Sequence, residues 1–240
     1  MSLPEPPPDW GTDEISKFID LARNNAYATF ANLKPDYQSL VSIDEAFRRI
    51  IDNLLNTREW FAAFFLLGSH SVFRSATQLS ISCQLRESYP LLRSCLEYAL
   101  YGFHISRHPD SREIWLSRHG SKNNKEKVRD EFRIGRLLNE LDRESASDGK
   151  VARNLYDRTI DYGAHPNERA LMQSLKMIKD DKGIDLNISY LSDDSPASRL
   201  ALRTTAQVGV CVLEIFRLVF KERYDLLGLT EVLVLLRRGQ

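Results

Sequence analysis

The sequence contains few cysteines, and they are far apart. Cys83, Cys95 and Cys211 are the only three, and they include no C-x-x-C pair. An odd number at such spacing argues against both a disulfide framework and a structural zinc site. Cys95 and Cys211 stand among apolar residues, where a reduced cysteine packs like a small hydrophobic side chain. We therefore expect reduced thiols and a cytoplasmic location.

No hydrophobic run is long enough to cross a membrane. The longest apolar stretch covers residues 60–73 and is interrupted by Ser69, His70 and Ser71, whereas a bilayer-spanning helix needs about 20 apolar residues. Residues 1–10 also lack the apolar segment of a signal peptide. Basic and acidic residues number 33 each, so the net charge predicts no general attraction to nucleic acids or membranes. We expect a soluble protein with no membrane partner.

Several motifs of common enzymes are also absent. The chain contains no G-x-G-x-x-G, no G-x-x-x-x-G-K-[ST], no G-x-S-x-G and no kinase signature. These motifs bind dinucleotides, cradle phosphates or present a nucleophilic serine. We therefore expect no P-loop, dinucleotide or α/β-hydrolase chemistry, and no cofactor.

What the sequence does contain is the pattern of a helical protein. Apolar residues return every three or four positions, which predicts a mainly α fold, a multi-helix bundle of about seven or eight helices. The 240 residues suffice for one large core. Residues 1–11 are proline-rich and predict a flexible tail, and residues 12–240 predict a single helical domain. The main predicted helices start at Thr12, at the capping box of Ser42 and Glu45, and at Thr57, Pro90, Pro109, Lys150 and Ser195.

The periodicity changes late in the chain. Ile184, Leu186, Ile188 and Tyr190 alternate with polar residues, as in a strand. We predict a small β-hairpin at about residues 170–191, inserted before the last long helix and laid against the bundle. Residues 229–236 are apolar and fit either a helix or a strand. As exposed apolar surface, that segment would support a homodimer.

Two of the apolar helices each carry a polar stripe. The stripes consist of His70, Arg74, Thr77 and Gln78 on the third predicted helix and of Arg93, Glu97, Tyr101 and His104 on the fourth. Side chains at these spacings share one helix face, and a charge buried there needs a partner. Glu97 could pair with Arg93 on its own helix or with Arg74 across the interface. The stripes predict a polar binding seam, with a structural network or two solvent-exposed faces as the alternatives.

Another polar face lies on the helix predicted for residues 150–164. It carries Asn154, Arg158 and Asp161 and ends at His165. The spacing Arg158-x6-His165 resembles the motif of the helical HEPN superfamily, which includes metal-independent ribonucleases. The resemblance implies that His165 would handle the proton of a ribose 2′-hydroxyl and that Arg158 would steady phosphate charge. Both are therefore candidate catalytic residues, with RNA as the candidate partner.

A broader likeness concerns uncharacterised bacterial helical proteins in which an Arg-x-x-x-Glu helix precedes a helix that ends near His-Pro-Asn. Arg93 and Glu97, followed by residues 165–167, are similar to this pattern, which covers about residues 57–170 and implies fold more than chemistry. HEPN ribonucleases favour Asn, Asp or His after the arginine, where this chain has Thr159. The pair Arg112-x6-His119 has the same spacing. A solvated face of an amphipathic helix is the alternative explanation.

His104 and His108 are one helical turn apart, so both could reach one metal ion. No third ligand stands beside them in the sequence, and the H-E-x-x-H motif is absent. We therefore predict no metal site.

Two hypotheses about function follow. The first is a non-enzymatic binding or interaction protein for an unidentified protein or small molecule, because no specific catalytic motif is present. The second is a HEPN-like metal-independent ribonuclease or RNA-binding protein that uses Arg158 and His165.

Overall fold

The structure, a computed structural model, describes residues 5–164, 175–180, 183–188, 191 and 196–239. Within these ranges the chain is mainly α-helical, as the apolar periodicity predicts. The α-helices are α1 (Glu14–Asn32), α2 (Lys34–Ile51), α3 (Trp60–Ile81), α4 (Leu85–Arg107), α5 (Ser111–Leu116), α6 (Lys122–Glu131), α7 (Ile134–Glu144), α8 (Ala146–Thr159), α9 (Pro196–Val219), α10 (Lys221–Leu226) and α11 (Leu229–Arg238). A 3-10 turn (Ser117–His119) follows α5, and a π-helical turn (Ile160–Ala164) follows α8.

The described ranges hold eleven α-helices rather than seven or eight. The charged region between residues 121 and 145 forms two helices, and residues 229–236 lie in a helix of their own. The second helix begins at Lys34 rather than at Ser42. Pro35 stands in its first turn, where the missing N–H has no intrahelical acceptor to lose, so the helix extends upstream of the capping box.

Two short strands lie between α8 and α9. Leu175–Asp180 (β1) pairs antiparallel with Gly183–Ile188 (β2), with Leu175 opposite Ile188 and Asp180 opposite Gly183. The other residues of the predicted hairpin, 170–174, 181–182 and 189–190, lie outside the described residues.

The centre of the bundle is formed by α3, α4 and α9. The fourth helix packs along α3, and α9 packs on α4, α3 and α2. Phe73, Phe103 and Phe216, one from each central helix, are among the largest fully buried side chains. Burial stabilises by about 25 cal/mol per Å2 of apolar surface, so this shared core fixes where the shorter helices sit. None of the described helices combines the length and the apolar character of a membrane-spanning segment.

The eighth helix, which carries Arg158, is positioned by two local features. Ser145 caps its start, since the Ser145 hydroxyl accepts from the backbone N–H of Asp148 at 3.5 Å and donates to the Asp148 carboxylate at 2.7 Å. The helix therefore begins at Ala146 rather than at Lys150. Gly149 then lets α8 approach α7 closely, because a Cβ there would lie only 2.7 Å from the Cα of Asp142.

Candidate ligand-binding cleft

A cleft of about 440 Å3 opens between α8, α9 and α11. Its apolar lining comes from Val151 and Leu155 of α8 and from Val210 of α9, with Cys211 beside them. Burial raises the pKa of the Cys211 thiol, and the nearby carboxylates raise it further. The thiol is therefore neutral at physiological pH and contributes to the cleft as an apolar group rather than as a nucleophile.

Arg158 projects from α8 into this cleft. Its Nη1 donates to the Gln207 side-chain oxygen at 2.6 Å and lies 3.3 Å from the Thr204 hydroxyl. Among the residues that the structure describes, no carboxylate lies within ion-pair distance of Arg158. Two neutral side chains thus hold the guanidinium in place, and no carboxylate among the described residues neutralises its charge.

Asp148, Glu214 and Arg237 also line the cleft, and with Arg217 they form an ionic cluster whose two acids are buried and whose two arginines are partly exposed. Glu214 of α9 accepts from the Arg217 Nε at 2.7 Å and from Arg237 of α11. Asp148 of α8 lies 3.5 Å from Arg237 and 3.9 Å from Arg217. Burial alone would lower the pKa of Arg217, but the bond to Glu214 and the negative charges of Glu214, Asp148 and Asp225 together raise it. The four charges balance, so the cluster ties three helices together without adding net charge.

The predicted polar seam does not form one continuous surface. His70 and Arg74 both face Asp44 of α2: the His70 Nε2 lies 2.7 Å and the Arg74 Nε 2.6 Å from the same carboxylate oxygen. The bond to Arg74, despite partial burial, holds the pKa of Asp44 below its usual range. Burial lowers the pKa of His70. These two side chains therefore join α3 to α2 rather than to α4.

Arg93 and Glu97 form the second group. The Arg93 Nε donates to the Glu97 carboxylate at 2.9 Å, so Glu97 pairs on its own helix and not with Arg74. The Tyr156 hydroxyl of α8 donates to the same Glu97 oxygen at 2.9 Å, and the Arg93 guanidinium carbon lies 5.2 Å from the Tyr156 ring centre. Burial, with the negative charge of Glu97, raises the pKa of Tyr156 to about 12. This tyrosine is therefore a permanent donor that docks α8 on α4.

Tyr101 and His104 belong to a third group, at the end of α4 near α6 and α7. Tyr101 is half-buried with its ring centre 4.7 Å from that of Phe132, and burial, with the negative charge of Glu97, raises its pKa. His104 is fully buried between Glu131 of α6 and Glu140 of α7. Burial alone would raise the pKa of Glu131, but bonds from Ser111, His104 and Arg136 lower it to about 2. The seam residues thus lie at three helix junctions, and the charge of Glu97 acts on Tyr101 of the third group as well.

Of the two candidate catalytic residues, Arg158 lies in the cleft and His165 lies outside the described residues. Several residues of the cleft and of its ionic cluster have no counterpart among the sequence predictions, namely Asp148, Gln207, Glu214, Arg217 and Arg237. One signal was present for Glu214, which is a single carboxylate within a long apolar run of α9. A lone charge in such a run requires a partner, although the run itself does not identify which one.

The fold and this cleft define a class of protein: a mainly α-helical bundle with a surface cleft of mixed apolar and charged lining. The sequence matches no protein-family model, no curated protein and no solved structure.

Proposed function

We propose that this chain is a non-enzymatic binding protein, and that the cleft between α8, α9 and α11 binds a small molecule with an apolar body and one anionic group. The observation that carries the proposal is the Arg158 guanidinium, which neutral partners hold at the edge of an apolar lining. The cleft volume of about 440 Å3 falls within the range of small-molecule sites, which are mostly apolar with a few fixed polar groups.

Charge balance supports an anion rather than a cation. Asp148 and Glu214 are matched by Arg217 and Arg237 within the cluster. Arg158 therefore supplies the excess positive charge of the cleft. A carboxylate, sulfonate or phosphate that meets a guanidinium gains charge-assisted hydrogen bonds, which are stronger than neutral ones.

Two fluorescent probes of nearly the same shape test this proposal. The anion 1-anilinonaphthalene-8-sulfonate should bind the folded protein, and its uncharged relative N-phenyl-1-naphthylamine should bind more weakly. Arg158→Gln should lower the affinity for the anionic probe by about tenfold or more, since a hydrogen bond to a charged group contributes about 1.5–3 kcal/mol. Binding of the neutral probe should be unchanged.

The matched control is Arg129→Gln, which removes an exposed arginine of α6 far from the cleft residues in sequence. This variant should bind both probes with the affinity of the wild type. Circular dichroism should show that both variants retain the helical content of the wild type. Equal affinity of wild type and Arg158→Gln for the anionic probe would refute the proposed role of the cleft.

The second candidate is the HEPN-like ribonuclease or RNA-binding function based on Arg158 and His165. A guanidinium without a carboxylate partner among the described residues is suited to an RNA phosphate as well as to a small anion. Purified protein should then cleave RNA in the presence of EDTA, and His165→Ala should abolish cleavage. His119→Ala, in the other Arg-x6-His pair, is the control and should retain it. Cleavage that survives His165→Ala would exclude the assignment.

We also propose a homodimer formed through the C-terminal helix. Leu229 and Leu233 of α11 are buried, whereas Leu235 is 66% exposed. Sedimentation equilibrium should give a dimer for the wild type and a monomer for Leu235→Glu. Leu55→Glu changes a comparably exposed leucine elsewhere and should leave the dimer intact. A wild-type monomer at all concentrations would remove this proposal.

The remaining proposals concern organisation and location. We propose that residues 12–240 fold as one domain, that residues 170–191 form a hairpin insert against it, and that the protein is cytoplasmic. The three free cysteines support the location. A Gly-Ser linker in place of residues 175–188 should preserve a single thermal unfolding transition. Two separate transitions in the wild type would contradict a single domain.

A further inference from the structure

A compact group of histidines and glutamates lies where α4, α6 and α7 meet. His104 is in the last turn of α4, His108 directly follows that helix, and Glu140 is in α7. The His104 Nδ1 lies 2.6 Å from one oxygen of Glu140, and the His108 Nε2 lies 2.8 Å from the other. The sequence offers no third ligand near the two histidines, but the fold brings Glu140 between them.

One carboxylate lies beside each ring nitrogen of His104. A neutral imidazole has one N–H and one acceptor nitrogen. The other ring nitrogen of His104, Nε2, lies 3.0 Å from Glu131, so each ring nitrogen faces a carboxylate. Because a neutral ring can donate to only one of the two carboxylates, a metal ion on its second nitrogen would satisfy the other.

We infer that His104, His108 and Glu140 bind a divalent transition-metal ion such as Zn2+, through His104 Nδ1, His108 Nε2 and a Glu140 oxygen. Their ligand atoms lie within 4.8 Å of one another. Metal–nitrogen bonds of about 2.0–2.1 Å require ligand atoms roughly 3.3 Å apart, so modest side-chain rotation is needed. His108 is 52% exposed, so its ring has room to turn. Two nitrogens and one carboxylate oxygen suit zinc and leave a further position for water.

Glu131 acts as the supporting group for this site. Its carboxylate lies 3.0 Å from His104 Nε2, so a ring that binds the metal through Nδ1 would donate its N–H to Glu131. The Ser111 hydroxyl donates to Glu131 at 2.7 Å and the Arg136 guanidinium at 2.8 Å, so the carboxylate is itself held in place. A carboxylate behind a metal-binding histidine is the usual arrangement in protein metal sites.

Direct metal titration of the full chain, prepared without a polyhistidine tag and stripped with a chelator, tests the inference. Co2+ should bind at one ion per chain with visible absorption bands, and Zn2+ should displace it. His108→Ala and Glu140→Gln should each weaken binding by about a hundredfold or more, because loss of a supporting group alone costs about 10–100-fold. Glu131→Gln should weaken it by that smaller factor.

His119→Ala is the control, since it removes an exposed histidine outside the cluster and should not change the affinity. Thermal unfolding with and without Zn2+ provides a second measurement: the metal should raise the midpoint of the wild type and of His119→Ala, but not that of His108→Ala. No metal binding by the wild type would overturn the inference. Binding that persists in both His108→Ala and Glu140→Gln would overturn it equally, because the ion would then be held elsewhere.

Discussion

Glu214 is the residue whose replacement tests the cleft architecture most directly. Its side chain is 4% exposed and accepts from Arg217 and Arg237. Glu214→Gln keeps the shape of the side chain but removes its charge and turns an amide N–H2 group toward one of the two guanidinium groups. Both arginines then depend on Asp148 alone, which lies 3.5 Å or more from each.

The size of the effect follows from burial. Breaking a fully buried ion pair costs about 3–5 kcal/mol, because the remaining charge is left without a partner. Here Arg217 is 24% exposed and Arg237 is 46% exposed, so both can recover part of their hydration. We therefore expect Glu214→Gln to lower the free energy of unfolding by about 2–3 kcal/mol.

Urea denaturation followed by circular dichroism measures this change. Glu222→Gln, at an exposed acid of α10, is the control and should change the free energy of unfolding by less than about 0.5 kcal/mol. Arg217→Gln and the double variant complete a cycle that should give a coupling energy of about 1–2 kcal/mol. A loss below about 0.5 kcal/mol for Glu214→Gln would refute the view that this cluster holds α8, α9 and α11 together.

Three further predictions concern other parts of the molecule. The pKa of Asp44 is lowered from its ordinary 3.8 by the bond to Arg74, so its stabilising effect is complete above pH 4 or so and lost as the pH falls below that value. Asp44→Asn should therefore flatten the acid limb of a plot of stability against pH, and an unchanged limb would contradict this. Gly149→Ala should destabilise by about 2 kcal/mol or more in urea, because its Cβ would lie 2.7 Å from the α7 backbone. Gly135→Ala, which meets nothing within 4 Å, should be neutral or stabilising. With a thiol reagent, Cys83 should react first in the native protein, whereas the two fully buried thiols should react only on unfolding; three equally fast thiols would be the contrary result.

The sequence indicated pairs of residues one helical turn apart, but it did not indicate pairs that are distant in the chain. The pairing of Arg93 with Glu97 was one of two alternatives that the sequence left open, and the helical spacing alone makes it feasible. The partner of His70 and Arg74 is Asp44, which lies 30 positions from Arg74, and no periodicity connects them. The start of the second helix was predicted at Ser42 but lies at Lys34. Proline can stand in the first turn of a helix as well as end one, so Pro35 does not by itself fix this boundary.

The sequence by itself determined that the chain folds into helices and which face of each is apolar, because both depend on residues three or four positions apart. It also identified Arg158 and His104 as candidate functional residues, whereas His104 and His108 were predicted not to form a metal site. Only the tertiary structure decided which partners these residues contact. Gln207 is 49 positions from Arg158, and Glu140 is 36 positions from His104. Hydrogen bonds and metal bonds require contact within about 2–3 Å, and across such separations only the packing of one helix on another creates it.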